Sequence, residues 1–357
     1  LREKAFVMIF KPFWRYALVL SALGAMNLVA AQTPATVAPA AQPDSPLADR
    51  SVGDWLMRMH EASRKRAYTG TFVVSSSSGN LSSARIWHVC EGDQQMERVE
   101  ALTGVPRSTF RRNDQVVTFF PQTRVAKTER RESLGLFPNL LKSSNSAIDE
   151  FYAAQQAGSG RVAGFDASVV QLKPKDKLRF GYRIWSEKKS GLVVKLQTLD
   201  TDGRVLEQAA FSDLQIDAPV KMSALAQMMG DTAGYKVIAT ELVKTTAAAE
   251  GWALKSPVAG FKPMNCYKRP MAAEGGAHDA SDNTLQWVFS DGLASVSVFV
   301  EAYDPKRHTQ EVHLTMGATQ MLTRHLSDPS GDWWITVVGE VPLPTLKVFA
   351  QNLERTK

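Results

Sequence analysis

The sequence has little cysteine and little of the patterning that catalytic or metal sites need. Only two cysteines, Cys90 and Cys266, occur in 357 residues. No CxxC pair accompanies them, and none of the six histidines forms an HExxH motif or a close pair beside a carboxylate with zinc-ligand spacing. The pattern favours solvent-exposed polar histidines over a metal site.

Motifs for nucleophilic and cofactor chemistry are also missing. There is no GxSxG elbow. The segment GSGRVAG (158–164) approaches a dinucleotide fingerprint, but its last gap is one residue too long. It also follows a helix-like stretch and opens a strand, which reverses the required context. The sequence therefore predicts neither an enzyme nor a bound cofactor.

The net charge of this chain is only mildly positive. The formal net charge is +6, and residues 1–31 carry a net +3 of it, which leaves +3 for the remainder. No run of Lys and Arg of the kind that marks nucleic-acid patches is present. Nucleic acid is therefore not a predicted partner.

Long apolar runs are absent after the N-terminal region. Residues 16–31 (YALVLSALGAMNLVAA) follow the basic residues Lys11 and Arg15 and are too short for a comfortable membrane span. Val29 and Ala31 satisfy the small-residue cleavage rule. The pattern predicts a signal peptide over 1–31 and an exported protein, with an uncleaved anchor as the alternative.

Export changes what the two cysteines can do. An even count in an oxidising compartment permits one disulfide, between Cys90 and Cys266. Two buried free thiols are the alternative, because sequence alone does not fix the geometry of a disulfide.

The remaining chain indicates an α+β fold, mainly antiparallel β, in two units. An Ala/Pro-rich linker (32–50) precedes a helix from Ser51 to about Arg66. Consecutive hairpins follow, with a short helix in AIDEFYAAQQAG and a basic, irregular stretch in TRVAKTERRESLGLFPNLL. The predicted domains are residues 51–230 and 251–357, joined by a linker at 231–250.

The second half has its own signals. A hairpin is predicted around Asp291-Gly292, and further strands in GATQMLTRHL and DWWITVVGE. The chain ends with a predicted helix, PTLKVFAQNLE, that has one apolar face. Met222, Met228 and Met229 lie in a short helix that favours packing over a soft binding surface.

The stretch ERVEALTGVPRSTFRRNDQVVTFFP (97–121) has apolar residues on both faces of a predicted sheet. Val117 and Phe119 point one way, and Val116 and Phe120 the other. Such strands need cover on both faces. We expect a helix on one face and, on the other, a concave surface for lipid or a partner's apolar segment. The candidate aromatic residues are Trp87, Phe110, Phe119, Phe120 and Trp185.

Arginines gather at the turns of the same region. Arg111 and Arg112 are placed at a hairpin tip, and Arg124 in the next turn. Solvated turn residues are one interpretation. The other is a contact for anionic groups or an acidic partner segment, because guanidinium groups bind these with directional hydrogen bonds.

Several ordered segments resemble the RseB/MucB family. They are YTGTFVVSSSSGNLSSARIWH (68–88), the TGVPR and FRRND turns, residues 161–211, WVFSDGLASVSVFVE, GATQ, and WWITVVGEVPLPTLKVFAQNLE. The resemblance implies a large N-terminal domain like the lipoprotein carrier LolA, an unclosed β-barrel over helices. A smaller α/β domain follows it.

The resemblance also implies a function. Such proteins are periplasmic negative regulators of the sigma-E envelope stress response. They bind the periplasmic region of a membrane anti-sigma factor, shield it from the site-1 protease, and are released by lipopolysaccharide or lipid. No catalytic residues are implied. A LolA-like periplasmic carrier of lipid or lipoprotein is the alternative, and the oligomeric state, a homodimer included, stays open.

Overall fold

The computed structural model describes residues 52–130, 137, 148–239, 242–270 and 283–356. The predicted signal peptide and Ala/Pro linker, and His278, lie outside these residues. The helices are α1 (Val52–Lys65), α2 (Ile148–Phe151), α3 (Met222–Gly230) and α4 (Leu343–Asn352). Within the described ranges, no helix has the length and apolar character that a membrane span requires.

Twelve strands form the first sheet, in the order β12-β6-β5-β4-β3-β2-β1-β11-β10-β9-β8-β7. Neighbours pair antiparallel except β12 with β6, which are parallel. In chain order the strands are β1 (Tyr68–Ser76), β2 (Leu81–Glu91), β3 (Gln94–Ala101), β4 (Ser108–Arg112), β5 (Gln115–Phe120), β6 (Val125–Arg130), β7 (Tyr152–Val162), β8 (Phe165–Pro174), β9 (Gly181–Glu187), β10 (Val193–Leu199), β11 (Val205–Ile216) and β12 (Lys236–Ala239). The two end strands, β12 and β7, do not pair with each other, so this sheet stays open.

Helix α1 lies against the inner face of the first sheet. Asp54 occupies its first turn and Arg64 and Lys65 its last, which complements the helix dipole. Trp55, Leu56, Met59 and Ala62 recur at helical spacing and are all buried. They join apolar side chains from both halves of the sheet in one cluster, named here the inner core, which includes Phe72, Ile86, Val116, Ile184, Val194 and Phe211.

Helix α3 covers the opposite face of β2–β5. Its buried residues Met222, Leu225 and Met229 pack in a second cluster, named here the outer core, with Val89, Met96, Phe110, Val117, Phe119 and Ala126. The predicted two-faced burial of this part of the sheet is thereby confirmed. The methionine-rich helix is a packing element: Met222 and Met229 are buried, and Met228 is 39% exposed.

A second sheet of seven strands follows, in the order β13-β15-β16-β17-β20-β19-β18. The strands are β13 (Val243–Lys244), β15 (Lys262–Pro270), β16 (Asn283–Ser290), β17 (Ser295–Ala302), β18 (His313–Met316), β19 (Thr319–Asp328) and β20 (Gly331–Gly339). Helix α4 packs on one face, where Leu346 and Phe349 join the valines of β17 and β20 in the second-sheet core. The hairpin predicted at Asp291-Gly292 is the connection between β16 and β17.

A small two-stranded sheet, β14 (Trp252–Leu254) with β21 (Leu353–Arg355), closes this second core. The Arg355 guanidinium carbon lies 5.0 Å from the Trp252 ring centroid and 4.8 Å from that of Trp333. A cation between two indole rings is a favourable contact that also buries the arginine stem. It ties the C-terminal strand to β20.

Two local predictions are wrong. The helix predicted in AIDEFYAAQQAG ends at Phe151, and β7 begins at Tyr152 and runs through both Gly158 and Gly160. Pairing along β8, with a register shift between Gln156 and Ser159, overrides the local helical preference. The stretch after Thr123, predicted to be irregular, contains β6. Long-range pairing decides both segments.

Candidate functional site

The five candidate aromatic residues do not line one cavity. Phe110 and Phe119 are buried in the outer core, with their ring centroids 5.7 Å apart. Phe119 also meets the ring of Tyr235 edge-on at 5.1 Å. Their face of the sheet is filled by α3, so the predicted cavity is wrong for these two residues.

The other candidates are scattered. Phe120 is half-buried on the face opposite Phe119, because successive strand residues alternate. Trp185 packs against the inner core from β9, and the Lys195 ammonium lies 4.6 Å from its ring centroid. A Cβ at Gly160 would come 3.0 Å from the indole nitrogen of Trp185, so the bare backbone at Gly160 is needed there. This packing again leaves no common cavity.

Trp87 is partly buried against the outer core and lies between two arginine side chains. The guanidinium carbons of Arg85 and Arg98 lie 5.1 Å and 4.7 Å from its ring centroid. Arg98 also donates to Glu100 at 2.9 Å and to Ser108 at 3.2 Å, so its fork is fixed in place. We name Arg85, Trp87, Arg98 and Met228 the Arg–Trp strip. Two cations and an aromatic face on a sheet surface suit an extended segment that carries acidic and apolar side chains.

Arg111, predicted at an exposed tip, is buried instead. Its Nε donates to Glu97 Oε2 at 3.0 Å, and its Nη1 and Nη2 donate to the Asn113 carbonyl at 2.6 Å and to Gln95 Oε1 at 3.2 Å. Its side chain is only 5% exposed. Arg111 stands opposite Val116 in the β4–β5 pairing, so both side chains point to the inner face of the sheet. A charge buried there needs hydrogen-bond partners like these three. Arg111 therefore stabilises the fold and is not available as an anion contact.

The carboxylate of Glu97 belongs to a wider buried group. His88 Nε2 lies 3.8 Å from Glu97 Oε1, and His88 Nδ1 is 2.8 Å from the Arg66 carbonyl, to which it donates. The ring stacks on Tyr68 at 4.8 Å. Burial lowers the pKa of His88 and raises the pKa of Tyr68 well above its usual value. Tyr68, His88 and Glu97 come from β1, β2 and β3, so this buried group lies at the middle of the first sheet beside the Glu97–Arg111 pair.

Arg112 and Arg124 are exposed, but the sheet does not bring them together. Arg112 donates to Gln94 Oε1 at 3.0 Å at the β4–β5 turn. Arg124, with φ 50°, occupies the β5–β6 turn, where its carbonyl accepts the Lys236 N–H at 2.7 Å. These turns lie at opposite ends of β5, about 17 Å apart at strand spacing. A single anion does not reach both.

The predicted disulfide is wrong, since both cysteines are free thiols. Cys90 lies on β2 of the first sheet and its Sγ–H donates to the Lys65 carbonyl at 2.8 Å. Cys266 lies on β15, buried in the second-sheet core. Burial there raises the pKa of Cys266 to about 11, which keeps it protonated and unreactive. Cys90 is half-buried on the first sheet, whereas Cys266 lies in the core of the second sheet.

Exposed histidines were predicted, and two of them are buried. His88 is enclosed as described, and His308 is 8% exposed, stacked on Trp334 at 4.8 Å. His308 Nδ1 accepts the Asp304 N–H at 2.9 Å, so Nε2 carries the proton and donates to Glu301 at 3.2 Å. Across the described part of the chain, no group of three or more His, Cys, Asp and Glu side chains could hold a metal ion.

An open groove of about 320 Å³ lies between β19 and α4. Arg324 crosses it and donates from Nη1 to the Ala350 carbonyl at 2.8 Å. The groove is lined by Glu311, Leu322, Thr323, Arg324, Lys347, Ala350 and Gln351.

The buried ion pair of one arginine was not predicted from the sequence. Arg179 stands in the apolar run LRFGY (178–182) and is fully buried. An arginine inside such a run signals a buried ion pair, because the charge needs a partner there. Its partner, Asp291, comes from the second half of the chain.

Comparison with known proteins covers nearly the whole described chain. Models of the MucB/RseB N-terminal and C-terminal domains match residues 51–229 and 246–354. The sigma factor AlgU regulatory protein MucB of Pseudomonas aeruginosa is 28% identical over 324 residues, which is 88% of this chain and 93% of MucB. The sigma-E factor regulatory protein RseB of Escherichia coli is 22% identical over 302 residues, or 85% and 90% of the two chains. The Pseudomonas aeruginosa MucA/MucB complex superimposes with a TM-score of 0.65 at 25% identity, over 85% of this chain and 99% of that one.

Proposed function

This chain belongs to the MucB/RseB family, and from that premise we propose that it is a periplasmic negative regulator of a sigma-E-type envelope stress response. In this proposal it binds the periplasmic region of a membrane anti-sigma factor. While bound, it shields that region from the site-1 protease, and lipopolysaccharide or lipid releases it.

The observation that carries the proposal is the match of both family domains in order, at 51–229 and 246–354. A simple lipid carrier has no obvious use for the second domain. The relative MucB, described as a regulatory protein of sigma factor AlgU, has been solved in complex with MucA. Domain boundaries at 231–250 are part of the same proposal.

We propose the Arg–Trp strip as a contact for the partner segment. Arg85 is exposed and Trp87 and Arg98 are half-buried, so the strip reaches the protein surface. Arg112 and Arg124 remain candidates for separate anionic groups, because each is exposed. An acidic, partly apolar segment would pair with such a surface and gain association rate from its charge.

Purified protein mixed with the periplasmic segment of its cognate anti-sigma factor tests the function. We expect a complex at micromolar concentration, slower cleavage of the segment by the site-1 protease, and loss of both effects when lipopolysaccharide is added. Absence of a complex, together with tight binding of acyl chains, would instead establish the carrier.

The Arg–Trp strip is tested with Arg85→Glu in the same assay. Reversing an exposed charge at the contact is expected to weaken the complex about tenfold, or ~1.4 kcal/mol. Arg161→Glu is the matched control, since Arg161 is equally exposed on β7. Equal affinities for the two variants would remove the strip from the interface.

A further inference from the structure

At one point of contact, each of the two sheets places a leucine side chain in or against the core of the other. Leu293, in the β16–β17 turn of the second sheet, is 4% exposed and belongs to the inner core of the first sheet. In return, Leu178, in the β8–β9 connection of the first sheet, packs against the second-sheet core. Its carbonyl accepts the Thr345 hydroxyl of α4 at 2.7 Å. Each core is thus completed by a residue of the other sheet.

A buried ion pair lies beside this exchange. Arg179 Nε donates to Asp291 Oδ2 at 2.8 Å, and both side chains are 0% exposed. Arg179 Nη2 donates to the Ala259 carbonyl at 2.5 Å, and Nη1 donates to Asp176. Tyr152 donates its hydroxyl to Asp291 Oδ2 at 3.1 Å. Removing one partner of this pair would leave an uncompensated buried charge, which is costly.

The turn that carries Asp291 is shaped for this role. Asp291 Oδ1 accepts the N–H groups of Leu293 at 2.9 Å and Ala294 at 2.8 Å. The Asp291 carboxylate therefore stabilises the β16–β17 turn with one oxygen and accepts the Arg179 hydrogen bond with the other. A side chain at Gly260 would collide with Arg179 and Phe151, and φ +80° at that position disfavours one as well.

A second, weaker contact lies between the same two sheets. The β18–β19 turn approaches the end of β1 and β11, where a Cβ at Gly317 would come 2.8 Å from Glu207 Oε2 and 2.9 Å from Ser76 Cβ. Glu207 accepts the backbone N–H of Ala318. Two separated contacts resist rotation better than one, so they fix the angle between the sheets.

We infer that the β16–β17 turn and Arg179 form an interdomain latch that holds the two sheets in one fixed relation. Separating them exposes Leu293 and Leu178 to water and breaks the ion pair between Arg179 and Asp291. Partial opening is disfavoured because it separates Arg179 from Asp291 before water reaches either charge, so the contact is either closed or fully released. The latch is a property of the chain alone and is tested without a partner.

The test is the distance between fluorophores attached through azide-bearing residues at Ser78, in the β1–β2 turn of the first sheet, and Lys306, in the β17–β18 connection of the second, which are both exposed. Single-molecule energy transfer is expected to give one narrow distribution for the parent chain. The distribution should stay narrow in 0.5 M NaCl, because a buried pair is little screened. Arg179→Met and Asp291→Asn are expected to broaden it at least twofold. Asn keeps the oxygen that caps the turn.

Arg111→Met is the matched control, since Arg111 is an equally buried, paired arginine within the first sheet. It should lower stability and leave the distribution narrow. If Arg179→Met does not fold, Asp291→Asn and the near-isosteric Thr345→Val decide the question. A distribution as narrow as the parent's in these folded variants, or equal broadening by Arg111→Met, overturns the latch.

Discussion

Strands β5 and β17 bury their side chains in different ways, although both are internal strands of antiparallel sheets. In β5 the neighbours Val116 and Val117 are both buried, at 1% and 4% exposure. In β17 Val296, Val298 and Val300 are buried, and the residues between them are half-exposed. The difference comes from what lies above each sheet: α1 and α3 cover both faces at β5, whereas the second-sheet core covers one face at β17. Alternation in a sequence therefore reports how many faces are covered, and not only that a strand is present.

The largest expected effect is the loss of stability when a β5 residue of the outer core is truncated. Phe119→Ala removes a buried ring from beneath α3 and is expected to destabilise the protein by about 3 to 5 kcal/mol. Phe299→Ala, on the less covered face of β17, is expected to cost about 1 kcal/mol. Urea unfolding of both variants measures the difference. Equal losses would mean that the two sheets are covered alike.

The next largest effect is the difference in stability loss between substitutions of the two neighbouring arginines at the end of β4. Arg111→Met leaves Glu97 buried without its cation and is expected to cost about 3 kcal/mol, the low end for a broken buried pair. Arg112→Met, at the exposed neighbour, should change stability by no more than ~0.5 kcal/mol. The free energies of unfolding at pH 7 check this, and a harmless Arg111→Met would contradict the buried assignment.

The smallest effect concerns pH at the contact between the sheets. Burial, and then the nearby Glu340, raise the pKa of Glu207 above its usual 4.5. As pH rises from that value through the raised folded pKa, the unfolded chain loses its proton first, so stability falls. Glu207→Gln should therefore stabilise the protein by ~0.5 kcal/mol at pH 7.5. The gain should disappear near about pH 4, where the carboxyl is protonated in both states.

Unfolding curves at the two pH values give this comparison, with Glu91→Gln as an exposed control. A stabilisation that grows as the pH falls would reverse the sign of the linkage. The control is expected to show the same small change at both values.

Much of the fold was predictable from local pattern. Helix α1 was placed by its apolar spacing to within a residue or two, and the β16–β17 hairpin by Asp291-Gly292. Two-faced burial of β5 followed from adjacent apolar residues. Strand β7 was missed because its small residues favour a helix locally, and only pairing with β8 makes them a strand. The predicted cavity was wrong for Phe110 and Phe119, which α3 covers. An apolar residue in a strand has the same sequence pattern whether a ligand or a helix covers its ring.

By itself the sequence determined the mainly antiparallel strands, the helices that cover them, and the resemblance that both family domains confirm. These depend on periodicity and on ordered segments, which are local properties. Only the tertiary structure decided that Arg111 is buried and Arg112 exposed, that Cys90 and Cys266 stay apart, and that Arg179 meets Asp291 across 112 positions of the chain. The reason is physical: the energy of a charge or thiol depends on the atoms that surround it, and those atoms come from distant strands.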